Sequence, residues 1–77
     1  MNHKDLLAKI AAIISVLAEV DGSPESTLYL ACGSDMALWE VIRRILVESG
    51  QVKISNHYAR LTEVGKETAR QLNHSLA

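Results

Sequence analysis

The chain has 77 residues, enough for one small domain, and at that size roughly 60% of the unfolded surface can be buried, so a single copy is marginal and a homodimer would relieve it. Eight Lys+Arg against nine Asp+Glu give a formal net charge of −1, which argues against a strongly basic nucleic-acid coat and leaves that role to a local patch. The single cysteine cannot form an internal disulfide, and Cys32 in its apolar helical pattern reads as a small buried hydrophobe in a reducing, cytoplasmic setting.

The first element is a helix expected from Asn2 to Val20. Asn2 can cap it, Asp5 sets a carboxylate against the positive helix end, and Gly22 supplies the stop. Leu6, Ile10, Ile13, Ile14 and Leu17 form one apolar stripe, which Leu7, Ala11, Val16, Ala18 and Val20 widen past half the circumference. So wide an arc needs cover on two sides. A dimer face is therefore expected on Leu7, Ile10, Ala11, Ile14 and Leu17, helped by Leu72 of the last helix. Lys4 ahead of an apolar run looks superficially like a secretion signal. Asp5 and Lys9 interrupt it, no small-x-small cleavage site follows cleanly, and the run is far short of the ~20 residues of a membrane span.

Ser23 and Pro24 restart the chain as N-cap and first helical residue of a short helix over 24–32, with Leu28 and Cys32 one turn apart and Gly33 as its end. Ser34 or Asp35 caps the next helix, 35–49. Leu38, Trp39, Ile42, Ile45 and Leu46 fall on its core arc, and Met36, Ala37, Glu40, Arg43, Arg44 and Val47 on the opposite one. After Gly50, two alternating segments over 51–61 flank Asn56-His57, a two-residue hairpin turn. Counting outward from that turn pairs Ser55 with Tyr58, Ile54 with Ala59, Lys53 with Arg60 and Val52 with Leu61, and the inward pairs are all apolar. Thr62 caps a last helix, 63–76, whose inner face carries Leu61, Gly65, Ala69, Leu72 and Leu76.

The segment from Ser26 to Leu72, with Leu28, Cys32, Gly33, Trp39, Ile42, Leu46, Gly50 and Val52 in ungapped order and the closing Leu61-Thr62-Glu63-Val64-Gly65, resembles a winged helix-turn-helix domain of the small bacterial, archaeal or phage regulator type. The resemblance covers about two-thirds of the chain and identifies a fold better than a function. It implies a mainly α domain of four helices with a two-stranded wing, spanning 1–77. It further implies a recognition helix before the wing that enters a DNA major groove, a wing on the backbone or minor groove, and dimerisation through outer helices. The function expected from it is DNA binding, as a transcriptional regulator or accessory factor. A protein-interaction module built on the same fold, such as an adaptor or a small phage-type inhibitor, is the alternative.

The residues expected to meet DNA are Met36, Ala37, Glu40, Arg43 and Arg44 on the recognition helix, and Lys53, His57, Tyr58 and Arg60 on the wing. Arginines suit phosphates or guanine edges and Glu40 suits cytosine N4, while Met36 and Ala37 offer only apolar contact. Glu40 and Arg44, spaced i,i+4, equally suit a routine surface pair. Lys53 opposite Arg60 is a like-charge placement that costs stability unless an anion or a carboxylate lies near, although charged edge strands also serve simply to block aggregation. No enzyme, cofactor or metal constellation is expected. His3, His57 and His74 fall in three separate elements, no His or Cys pair has ligand spacing, and the segment 23–26 is accounted for by helix starting alone.

Overall fold

The structure is a computed structural model describing residues 3–76, with side chains described for 4–73. The expected cap Asn2 and the side chain of the inner-face residue Leu76 lie outside those limits. The elements run α1 (His3–Val20), β1 (Ser23–Pro24), α2 (Glu25–Ala31), α3 (Met36–Glu48), β2 (Val52–Ser55), β3 (Tyr58–Leu61) and α4 (Glu63–Leu76). Four helices thus surround a small antiparallel sheet in the order β1-β3-β2, an arrangement consistent with a winged-helix topology.

The stripe on α1 behaves as its spacing requires: Ile13, Ile14 and Leu17 are buried, and Leu6 and Ile10 pack against the same core. α4 packs along one side of its arc while α3 and β3 meet it elsewhere, which covers the stripe but leaves the flanking Val16, Ala18 and Val20 exposed. Ile14 and Leu17, expected on a dimer face, are only 3% and 1% exposed in the single chain and belong to its own core. Leu7 stays exposed, while Ile10, Ala11 and Leu72 are half-buried.

The chain leaves α1 through Asp21, which takes φ 54°, and Gly22 at φ 120°. A Cβ on Gly22 would lie 2.6 Å from Tyr58 Cε1, so this position serves two ends: it reverses the chain and lets the Tyr58 ring lie close against the backbone. The next two residues depart from expectation. Ser23 and Pro24 are a strand, with Ser23 opposite Ala59 and Pro24 opposite Tyr58. The sheet therefore has three strands rather than the two of a simple wing. Pro24, at φ −60° and ψ 145°, is the residue before α2 rather than its first turn, and no side chain caps that helix. The buried Ser23 hydroxyl donates to the Pro24 carbonyl instead. An edge strand tolerates proline because its missing N–H faces away from the ladder, and a two-residue strand carries no alternation by which a sequence would betray it.

Cys32 is the buried C-cap of α2 rather than its last residue, and the Asp35 side chain accepts from the Leu38 amide at 3.1 Å to start α3. On α3, Trp39, Ile42 and Leu46 are buried and Leu38 is half-buried. Ile45, placed on the same arc by periodicity, remains 37% exposed. The cause is tertiary: α4 packs chiefly on α1 and β3, which leaves the edge of the α3 arc partly open to solvent.

The hairpin has the expected register at all four pairs, with Asn56 at φ 52° and His57 at φ 61°, the two positive angles a type I′ turn demands. Thr62 then caps α4, accepting from the Gly65 amide at 3.1 Å and donating to the carbonyls of Gly50 and Gln51. This first turn of α4 packs closely because residue 65 is glycine. A Cβ there would lie 2.1 Å from the Gln51 carbonyl oxygen, which is itself held by the Thr62 amide at 3.0 Å.

Candidate nucleic-acid interface

Two clusters of polar side chains stand out, one on the hairpin and one where α2, α3 and the hairpin turn meet. The first is on the wing. Lys53 and Arg60 are directly opposed in the ladder and both exposed, and neither forms an ion pair among the described residues. The Arg60 guanidinium lies 5.3 Å from the centre of the Tyr58 ring, which the missing side chain of Gly22 leaves room for. Lys53, Ser55, Asn56, Tyr58 and Arg60 line an open hollow of about 430 Å³. A cationic hollow with hydroxyl and amide donors and an aromatic floor suits an anionic group such as a phosphate.

The second cluster was not legible in the sequence. Glu25, the first residue of α2, accepts from Arg43 Nε of α3 at 2.8 Å through Oε1 and meets His57 Nδ1 of the hairpin turn at 3.3 Å through Oε2. Its amide also donates to the His57 carbonyl at 2.8 Å, continuing the β1–β3 ladder by one bond. Three elements distant in sequence are thereby joined at one carboxylate whose side chain is only 15% exposed. Burial alone would raise the Glu25 carboxyl. Hydrogen bonds from Arg43 and His57 and the Arg43 charge, with a smaller contribution from the nearby Trp39 side chain, outweigh it and hold the group below its ordinary value of 4.5. Helix starting therefore does not exhaust the role of the segment 23–26. The signal that could have found Glu25 is its place just after a strand paired with the hairpin, and that strand has no signature of its own.

Arg43 consequently differs from its neighbour. It is paired, whereas Arg44 is not, and the i,i+4 pair expected between Glu40 and Arg44 does not form among the described residues. A hollow of about 420 Å³ between α2, α3 and the turn is bordered by Glu25, Tyr29, Met36, Trp39, Arg43 and His57. A second on the outer face of α3 is bordered by Glu40, Arg43, Arg44, Val47 and Glu48. Met36, Ala37, Glu40, Arg43, Arg44 and Val47 are all exposed, as their arc requires. Of the α3 and wing groups, the structure joins Arg43 and His57, which meet at Glu25, while Lys53, Tyr58 and Arg60 border a separate hollow.

Burial pushes the Cys32 thiol up, the Asp35 charge reinforces this, and the opposing Lys9 charge does not offset burial, which disfavours the thiolate a nucleophile needs. Among the described residues no group of three or more His, Cys, Asp or Glu can hold a metal ion, and no helix is long and apolar enough to cross a membrane. No protein-family model, curated protein or solved structure matches the chain.

Proposed function

We propose that the chain is a winged-helix module that binds duplex DNA, α3 entering the major groove and the hairpin resting on the flanking backbone, as part of a transcriptional regulator or accessory factor. The observation that carries this reading is the wing: Lys53 and Arg60 stand opposite one another with no carboxylate paired to either, a placement that costs the free fold and is offset by a bound anion. The helix order supports it, since α2, a short turn and α3 precede the hairpin as a helix-turn-helix precedes a wing. Dimerisation belongs to the same proposal and would use exposed Leu7 with the half-buried Ile10, Ala11 and Leu72. Light scattering that gave a monomer at high micromolar concentration would remove that part.

Electrophoretic retardation of mixed genomic fragments at low salt tests the DNA reading. Retardation is expected at tens of micromolar protein or below, with affinity falling steeply as salt rises. Replacing Lys53 and Arg60 together by Ala should weaken all sequences alike and flatten the salt slope by about two, one for each phosphate no longer neutralised. No retardation at tens of micromolar would sink the reading, because non-specific binding normally reaches ~10⁻⁴–10⁻⁶ M even at physiological salt.

A specific observation favours a second reading, a module that captures another protein. Glu40 and Glu48 flank the arginines on the outer face of α3, and Met36, Val41 and Val47 are 51%, 45% and 41% exposed on the same helix. That surface is balanced in charge and partly apolar, as interaction faces often are. In that case a charge at Met36 or Val47 abolishes capture of the partner, and the Lys53 and Arg60 substitutions leave it intact.

A further inference from the structure

We propose that Glu25 is a positioning residue that presents the Arg43 fork to a guanine in the DNA major groove, so that Arg43 reads sequence while the unsupported Arg44 and the wing cations supply charge alone. The proposal rests on the DNA-binding reading and deepens it.

The geometry begins at the Glu25 backbone, which cannot drift because its amide is bonded to the His57 carbonyl at 2.8 Å. Its side chain is confined as well, being 15% exposed and engaged at both oxygens. The carboxylate meets Arg43 at Nε, at 2.8 Å. That choice of nitrogen matters. A guanidinium has five N–H groups, and when Nε is taken by a carboxylate the terminal Nη1 and Nη2 still present two parallel donors, the spacing that matches guanine O6 and N7. Neither terminal nitrogen has a hydrogen bond or ion pair among the described residues, and the Arg43 side chain remains 45% exposed.

Arg43 also borders the hollow on the outer face of α3 with Arg44 and Glu40, the face an HTH helix turns to base edges. An arginine fixed in advance loses less freedom on binding than one free in solvent, and the fixed plane selects among bases where a mobile charge would not. Arg44, one residue on, has no carboxylate support and suits phosphate. The acidic charge that Glu25 brings to this face does not oppose DNA strongly, because Arg43 neutralises it in a contact partly withdrawn from solvent.

The test uses the full chain and a random-sequence duplex pool. Selection with the wild-type protein should enrich a guanine whose replacement by 7-deazaguanine, which lacks the N7 acceptor, weakens binding about 5- to 150-fold. In Arg43→Ala that ratio should fall to near one. In Glu25→Ala it should fall most of the way, with the salt slope unchanged, and Glu25→Gln, which keeps a neutral acceptor for Nε, should fall between. Arg44→Ala should instead flatten the salt slope by about one and keep the ratio. A purely structural role for Glu25 would weaken all duplexes alike, so a folded Glu25→Ala protein with the wild-type ratio overturns the proposal. Should Glu25→Ala fail to fold, an undiminished ratio in Glu25→Gln does the same. Duplex binding with no 7-deazaguanine effect overturns the positioning role alone, whereas failure of the wild type to bind any duplex overturns the DNA-binding reading as well.

Discussion

Replacing Gly65 with Ala should destabilise this protein, against the usual direction for a helical glycine. In an exposed helix interior that substitution stabilises by about 1 kcal/mol, because alanine loses less backbone freedom on folding. Here the new Cβ would lie 2.1 Å from the Gln51 carbonyl oxygen and 2.9 Å from Leu61 Cδ2. The leucine methyl can turn away. The carbonyl cannot do so cheaply, since it accepts from the Thr62 amide at 3.0 Å and the Thr62 hydroxyl at 3.2 Å, and that hydroxyl in turn caps the helix through the Gly65 amide. Overpacking of this kind costs about 1–3 kcal/mol, and loosening the cap adds about 1 kcal/mol. Against the helical gain, the net loss is about 1–3 kcal/mol. For a domain of this size that lowers the thermal midpoint by roughly 5–20 °C, readable by circular dichroism at 222 nm. Gln71→Ala, on the exposed side of α4, is the control and should shift the midpoint little. A Gly65→Ala protein melting at or above the wild type would refute the close approach of α4 to the β2 entrance, and with it the packing that sets the hairpin.

Two further outcomes follow from the core and from Glu25. Trp39 is 3% exposed within the core, so Trp39→Ala should cost ~3–5 kcal/mol, enough to unfold so small a domain; a cooperative melt near the wild-type temperature would contradict this. The Glu25 carboxyl is held below 4.5 in the folded chain, so the stability it contributes is complete above that value and is lost as pH falls through the lower folded value. Urea unfolding of the wild type and Glu25→Gln should show a gap that is constant near neutral pH and closes on acidification below the ordinary carboxylate range. A gap that widened on acidification would reverse the sign assigned to this group.

The elements that depend on near neighbours could be read from the chain alone. The α3 start at Ser34 or Asp35, of which the structure uses Asp35, the Thr62 cap, the Asn56-His57 turn with its four-pair register, and the limits of α4 are decided within a few residues by hydrogen-bond chemistry and side-chain alternation. The outward placing of Met36, Glu40, Arg43 and Arg44 followed from helical period for the same reason. Tertiary structure alone decided the rest. Ser23-Pro24 looks like a helix start by every local rule and becomes a strand because β3 offers it a ladder. Ile45 stays partly in solvent because α4 lies over α1 and β3, and Ile14 and Leu17 turn inward because that same packing covers them. The Glu25 contacts to Arg43 and His57 join residues 18 and 32 positions apart. No pattern of spacing reports such a meeting, since a charge–charge contact between separate elements depends on where the backbone has carried each group, and that is settled only when the core has formed.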